Sequence, residues 1–398
     1  MTQSAFRSRR WLAAALIFVA LNLRIAIGAL PPVLSQIRHD TGLSSAGGGL
    51  LSAVPVFCFG LVALAAPQLI ARLRMRPLLS LTMVAVAGGC VLRLASPLVA
   101  LFVGTALLGA GIAIGNVLVP GLIKRDFAAR AMVMTALYSV ALNAGAAISA
   151  GLTVPIEHGL HSGWRPALAV WALPALLAFA LWTPFARHEP PAAAAPEAVL
   201  LRDLMRDRVA WSVTLVMGVQ SFGYYATLSW LPTIFEDHGI SAATAGGLLS
   251  YSMFPAMLAA VLMPTLLRHT RRPALLVVAA ATLTGSAYAG LLVAPASIPY
   301  LWMTLLGLGG GISLTLALSY IVARAPDGHH AAQLSTMAQS MGYLIASTGP
   351  FILGALHGLT GGWTVPMAVL LVTLVPWIGA GLVAGQDRHV LEPPPAHA

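Results

Sequence analysis

Charge is what this sequence has least of. Asp, Glu, Lys and Arg make up 9% of its 398 residues, against about 25% in soluble globular domains. A water-exposed surface for a soluble fold of this size cannot be assembled from so few ions. Acidic side chains are scarcer still, with 12 Asp and Glu against 22 Lys and Arg. Cysteine is almost missing. Cys58 and Cys90 both fall inside apolar runs, without CxxC spacing or a Cys/His cluster, so they read as small core residues with no redox or metal role. The glycine run Gly307-Leu-Gly-Gly-Gly311 has no following Lys-Ser/Thr and lies inside an apolar stretch, which argues against a phosphate loop. No nucleophile-base pair or dinucleotide fold is legible, so neither an enzyme nor a cofactor is expected.

What is present is apolar length. Hydrophobic residues are 58% of the chain. Breaking the apolar runs at charge clusters and Gly/Pro turns gives twelve stretches near the ~20 residues that a bilayer requires. Their limits are 11 to 34, 45 to 70, 77 to 95, 98 to 123, 131 to 156, 165 to 186, 210 to 234, 243 to 267, 274 to 294, 298 to 322, 333 to 357 and 364 to 384. The expected fold is an all-α membrane protein of twelve transmembrane helices. Arg7, Arg9 and Arg10 before an apolar stretch resemble a signal peptide, but the run continues to Pro31-Pro32 without a small-residue cleavage site, so it is read as the first span.

Orientation follows from the basic residues. With the N-terminus in the cytoplasm, 18 of the 22 lie on that side, Arg38, Arg93 and Arg165 lie near the outer face, and Arg24 lies between. This split accounts for the basic composition without nucleic acid. A multi-pass monomer in a bacterial inner membrane, both termini cytoplasmic, is expected, with the lipid bilayer and a small-molecule substrate as its partners.

A repeat at about 198 residues organises the chain. Gly42-Leu-Ser-Ser-Ala-Gly-Gly-Gly-Leu-Leu-Ser52 recurs from Gly239 to Ser250, Leu107-Leu-Gly-Ala-Gly111 recurs as Leu305-Leu-Gly-Leu-Gly309, and Gly163-Trp164 as Gly362-Trp363. Six spans per half give both halves the same orientation, so two pseudo-symmetric six-helix bundles face one another across a cavity. The predicted parts are a bundle over 1–186, a cytoplasmic joint over 187–209, a bundle over 210–386 and a tail over 387–398. Gly111 with Gly115, and Gly307 with Gly311, have the spacing of close helix approach and are expected to be bearing surfaces for rocking.

Six plus six spans with a long central loop resemble the major facilitator superfamily over nearly the whole chain. The loop after the second span, Pro67-Gln-Leu-Ile-Ala-Arg-Leu-Arg-Met-Arg76, keeps Leu69, Arg72 and Arg76 of that family's signature but has Ala71 at its acidic position and Arg74 at its second glycine. Within the superfamily the chain resembles the cyanate and 2-nitroimidazole transporter branch. Asn22-Leu-Arg24 with Pro31-Pro32, Gly115-Asn116-Val-Leu-Val-Pro120 with Lys124, Gln220-Ser-Phe-Gly-Tyr224-Tyr225 with Trp230-Leu-Pro232, and Gln339-Ser-Met-Gly-Tyr343 with Gly349-Pro350 carry the likeness. It implies passage of a small anionic or strongly dipolar molecule.

Arg24 lies about thirteen residues into its run, near mid-membrane, where a guanidinium costs roughly 2.5–3.5 kcal/mol on insertion scales. It is the one charged side chain that this topology puts at that depth. With no carboxylate beside it, its planar fork suits a carboxylate-, nitro- or cyanate-like acceptor. A structural arginine bonded to helix-end carbonyls is the alternative. Aligning Pro32 with Pro232 brings Arg24 opposite Tyr224, and Gln220 shares that face one turn earlier. Tyr225 and Trp230 have a competing reading as aromatics of the outer interface. Asn22, about 200° around the helix from Arg24, is read as interhelical glue.

Thr336, Gln339, Ser340, Tyr343 and Ser347 form a polar stripe that lines either water or a neighbouring helix, with Gln339 and Tyr343 as ligand candidates. Asn116 and Asn143 face cavity or protein for the same reason. Lys124, Arg125, Asp126 and Arg130, with Arg72, are a cytoplasmic gate or a topology anchor.

Three functions fit: a secondary transporter for a small anion or dipole, a drug or metabolite efflux carrier with Arg24 structural, and a membrane receptor, which the lack of a soluble domain disfavours. With no Asp, Glu or His expected in the core, uniport, exchange and symport with a protonatable substrate all remain open.

Overall fold

The computed structural model describes residues 3–72, 74–161, 163–186, 201–270 and 273–392, and it leaves out the side chains of 3–8, 66–72, 201 and 273. Most of the predicted joint and the end of the tail therefore lie outside the described residues, as do Leu73 and the side chains of 67–72 in the signature loop, Arg72 included.

Among the described residues, twelve long helices follow one another: α1 (Gln3–Gly28), α2 (Ser45–Arg72), α3 (Met75–Leu92), α4 (Leu98–Asp126), α5 (Ala131–Leu160), α6 (Ala172–Ala186), α7 (Arg208–Asp237), α8 (Ala242–His269), α9 (Pro273–Val293), α10 (Pro299–Ala323), α11 (Gly328–Thr360) and α12 (Thr364–Ala384). In lipid a helix satisfies every backbone amide within its own segment, so apolar runs of this length take no other form. Pro31 and Pro32 lack amide protons, and there α1 gives way to a 3₁₀ turn before the short helix Leu34–Thr41. Asp207, Ser241 and Asp327 accept backbone N–H groups at the starts of α7, α8 and α11, the usual device for the unpaired donors of a helix N-terminus.

Ten spans, including the runs through α1 and α6, are long and apolar enough to cross a membrane. The other two long helices, α7 and α11, have the length, 30 and 33 residues, but are less apolar. Their polar residues include Gln220, Tyr224, Gln339 and Tyr343.

Helices α1–α6 and α7–α12 form two halves, and the seam between them is made by α2 against α11 and by α5 against α8. The repeat exchanges these pairs. At one end of the seam a Cβ on Gly49 would strike the Pro350 carbonyl, and a Cβ on Gly246, in the matching Gly-Gly-Leu-Leu-Ser stretch of the second half, would come within 2.6 Å of the Ala150 carbonyl. Gly111, Gly115, Gly307 and Gly311 play no such part. They meet α3 and α1, or α8, within their own half, so they are not contacts between the halves, and the close backbone approach across the seam is at Gly49 and Gly246.

The repeat also sets a staple in each half. Trp164 donates from Nε1 to Asp40 Oδ2 at 2.9 Å, and Trp363 donates to Asp237 Oδ2 at 2.7 Å. Each ties the end of a half's first span to the start of its sixth, through the short helices Leu34–Thr41 and Trp164–Ala169 in the first half.

Candidate functional site

Arg24 projects from α1 into the seam, and Nη1 donates to the phenolic oxygen of Tyr225 on α7 at 2.6 Å. The guanidinium carbon also lies 5.7 Å from the ring centres of both Phe59, on α2, and Tyr225, within the reach of a cation–π attraction. Phe59, Tyr225 and Tyr343 stand edge to face at 5.5–6.3 Å, and Tyr224 stands edge to face with Tyr225 at 5.1 Å. One cation from the first half is thus held in a collar of aromatic rings drawn mainly from the second.

Proline alignment chose the right level of α7 and the wrong azimuth. Successive helix residues are 100° apart, so Tyr225 faces Arg24, while Tyr224 turns its hydroxyl to 4.0 Å from the Met253 sulfur. Neither Tyr225 nor Trp230 is an interfacial aromatic. Tyr225 is buried at the site, and Trp230, fully buried, donates from Nε1 to the Pro350 carbonyl at 2.8 Å.

A cavity of about 160 Å³ opens beside this collar. Arg24 and Asn143 reach it from the first half, and Gln220, Tyr224, Tyr225 and Tyr343 from the second, with Leu142, Leu306 and Leu374 among its apolar walls. The Gln220 amide nitrogen donates to Ser221 Oγ at 2.6 Å. A guanidinium has five N–H donors. The one spent on Tyr225 leaves others for a guest.

The remaining predicted residues sit elsewhere. Asn116 is outside the cavity wall and accepts from the Tyr138 hydroxyl at 3.3 Å. Gln339 lies a turn before Tyr343, also off that wall, and donates to Ser335 Oγ at 2.7 Å. Asn22, buried, donates to the Phe18 carbonyl of its own helix at 2.8 Å rather than to a neighbouring helix.

Lys124 is exposed at the end of α4. Beside it Asp126 accepts from Arg125 Nε at 2.9 Å and from Arg76 Nη2 at 3.0 Å. Because Arg76 belongs to the start of α3, this carboxylate clamps two helices of the same half. Arg76 matched the degraded signature but was not singled out as a partner, because the contact spans 50 positions.

Sequence reasoning did not single out Phe59 or the inward turn of Arg93, and it left Tyr225 with a competing reading at the outer interface; only the folded seam turns Phe59 and Tyr225 toward Arg24. Arg93, expected near the outer face, is fully buried: Nε donates to Thr105 Oγ1 at 3.2 Å and Nη1 to the Ala26 carbonyl at 3.3 Å. Arg93 and Arg76 are thus the buried guanidiniums of the first half among the described residues, while Arg24 is half-buried at the seam.

Comparison with known proteins places this geometry in a family. The model of the Major Facilitator Superfamily matches residues 12–350. The chain is 36% identical to the 2-nitroimidazole transporter of Escherichia coli (strain K12), covering 98% of this chain and 99% of that one. It is 32% identical to the cyanate transport protein CynX of the same organism, covering 89% and 91%. Among solved structures, a bacterial homologue of the human lysosomal transporter Spinster, in an inward-facing and unoccupied conformation, superposes with a TM-score of 0.76 at 16% identity, covering 98% and 99% of the two chains. That likeness concerns the fold.

Proposed function

The chain belongs to the major facilitator superfamily, and on that footing we propose that it carries a small anionic or strongly dipolar solute, cyanate-like or nitro-heterocycle-like, across the inner membrane by alternating access. The observation that carries this reading is Arg24 in its aromatic collar, with guanidinium donors to spare at the edge of a small cavity on the seam. An anion or nitro group would take those donors, and Tyr224, Gln220 and Asn143 would offer polar contacts around it. The names of the two relatives, a 2-nitroimidazole transporter and a cyanate transport protein, agree with that chemistry.

Positive-inside counting puts both termini and residues 187–209 in the cytoplasm, between bundles at 1–186 and 210–386 and before the tail at 387–398. The end sealed at Gly49 and Gly246 is then the outer one. The halves rock about the seam, and the protein works as a monomer.

One observation favours an efflux carrier with a structural Arg24, namely that the guanidinium already has a partner in Tyr225. The volume of about 160 Å³ weighs the other way, since drug-sized sites run from about 300 to 1,000 Å³. Uptake of labelled cyanate and of 2-nitroimidazole into liposomes holding the purified protein tests the proposal. Uptake of either that disappears in Arg24→Ala supports it. A carrier that ignores both and exports lipophilic cations overturns it.

A further inference from the structure

Two amides line the central cavity, and both offer it oxygen. Asn143, on α5, donates from Nδ2 to the Ser139 carbonyl at 2.9 Å, and because a carbonyl only accepts, the amide nitrogen is fixed on that side. Gln220, on α7, donates from Nε2 to Ser221 Oγ at 2.6 Å, with the Met217 sulfur 3.7 Å away as a second acceptor. Asn143 Oδ1 and Gln220 Oε1 accept no hydrogen bond among the described residues, and neither oxygen is sealed from the cavity. The hydroxyls add to the imbalance. Of the six serine and threonine side chains on the wall, Thr227, Ser252, Ser313 and Thr373 spend their protons on carbonyls of their own helices at 2.7 Å. They keep lone pairs, not protons, for a guest.

Donors gather at the other pole, where Arg24 keeps N–H groups beyond the one on Tyr225. Helix levels separate the two poles. A Cβ on Gly145 would strike the Leu21 carbonyl, so Asn143 lies about one turn further than Arg24 from the end sealed at Gly49 and Gly246. Gln220 precedes Tyr225 by five residues on the same side, which at 1.5 Å per residue puts both amides roughly 5–8 Å from the level of Arg24. A bare anion satisfies the guanidinium but has no proton for the two oxygens, which repel it. Size points the same way. The cavity of about 160 Å³ is on the order of ten times the least space that holds one water, so a three-atom ion would leave most of it to solvent.

We propose that Asn143 and Gln220 are a specificity-determining pair, and that the substrate is a single-ring molecule with an acceptor group for Arg24 and an N–H or O–H donor for the two amide oxygens. The inference rests on the reading of this cavity as the transport site. The acceptor group is an anionic or nitro group, the ring lies between Tyr224 and the apolar walls at Leu142, Leu306 and Leu374, and the donor reaches the amides of both halves. A guest without that donor leaves the two oxygens unpaired in a confined site, the circumstance in which a polar pocket discriminates most strongly. Cyanate is therefore a poor substrate of this chain.

The test is titration calorimetry on the full-length protein in detergent with three probes: 4-nitroimidazole, its N-methyl derivative, which keeps the nitro group and loses the donor, and cyanate. The N–H compound is expected to bind about ten- to a hundredfold tighter than the N-methyl one, the effect of leaving acceptors unpaired. Asn143→Leu and Gln220→Met, each close in shape to the native side chain, are expected to narrow that ratio about fivefold or more by weakening the N–H compound alone. A loss of folding would not move the ratio, and each variant stands in for the other if one fails to fold. Equal binding of the two nitro compounds, with both lost in Arg24→Ala, overturns this inference and leaves the transport site at Arg24 in place. A ratio unchanged in both amide variants, or cyanate bound more tightly than 4-nitroimidazole, overturns it too. Binding of all three that ignores Arg24→Ala removes the underlying reading, and this inference with it.

Discussion

Arg24 and Tyr225 join the two halves of the protein by one hydrogen bond of 2.6 Å, 201 positions apart in the chain. On the proposed reading, a bond across this seam is a contact that a ligand is able to replace, and substrate binding and movement of the halves would meet at the same guanidinium.

Removing that guanidinium is expected to remove binding while the fold survives. Arg24→Ala should lose ligand-induced thermal stabilisation by cyanate or 2-nitroimidazole, with its unliganded melting temperature near that of the wild type. Arg24→Lys should restore little, since an ammonium lacks the planar fork. Wild-type affinity in Arg24→Ala would return the residue to a structural role.

The two neighbouring tyrosines should differ. Tyr224→Phe takes a hydroxyl from the cavity wall and is expected to weaken binding about ten- to a hundredfold, the effect of about 1.5–3 kcal/mol for a hydrogen bond to a charged ligand. Tyr225→Phe takes away the tether of Arg24 instead, so it should also loosen the seam. Titration calorimetry on both, read beside distances between spin labels on the two halves, separates these effects. An unchanged spin-label distance in Tyr225→Phe would deny the bond any part in holding the seam.

Closure should depend on the bare backbone at the sealed end. A Cβ at Gly49 meets the Pro350 carbonyl and one at Gly246 meets that of Ala150, so Gly49→Val or Gly246→Val is expected to hold this end apart. Cysteine introduced at Ser35, whose hydroxyl lies 3.3 Å from that of Thr233 across the seam, should then react faster with a membrane-impermeant maleimide. A reaction as slow as in the otherwise wild-type background would refute the close approach.

Asp126 should matter for stability more than for transport. It pairs with Arg76, and their side chains are 10% and 11% exposed. Asp126→Asn leaves the guanidinium of Arg76 with a weaker partner, and breaking a buried pair costs about 3–5 kcal/mol. The variant is expected to melt well below the wild type while the protein that remains folded keeps its affinity. A lost affinity at unchanged melting temperature would make Asp126 a gating residue.

Topology is checked by a cysteine placed between 190 and 200. It should be reached from the cytoplasmic side of inside-out vesicles and not from outside intact cells. Labelling from outside would invert the orientation.

Composition and periodicity determined a great deal on their own. Lipid admits long helices and little else, so apolar runs broken at charges gave their number, and the repeat gave the two-fold plan. The paired staples Asp40–Trp164 and Asp237–Trp363 lie at matching places in the repeat for that reason. Even the level of the candidate site was suggested by the sequence, because one arginine inside an apolar run is costly enough to stand out.

Azimuth and reach were not legible, and both belong to the tertiary structure. One residue turns a helix by 100°, so an alignment right to within a single position still chose Tyr224 where Tyr225 meets Arg24. Arg93 lies at the end of α3, where counting puts it near the surface, but its long side chain turns inward to the Ala26 carbonyl, about 3 Å along the axis from Arg24. The close approach between the halves falls at Gly49 and Gly246 rather than at the expected glycine pairs by the same logic. Spacing says that a helix face permits close approach, and only the packing of the halves decides which face meets which.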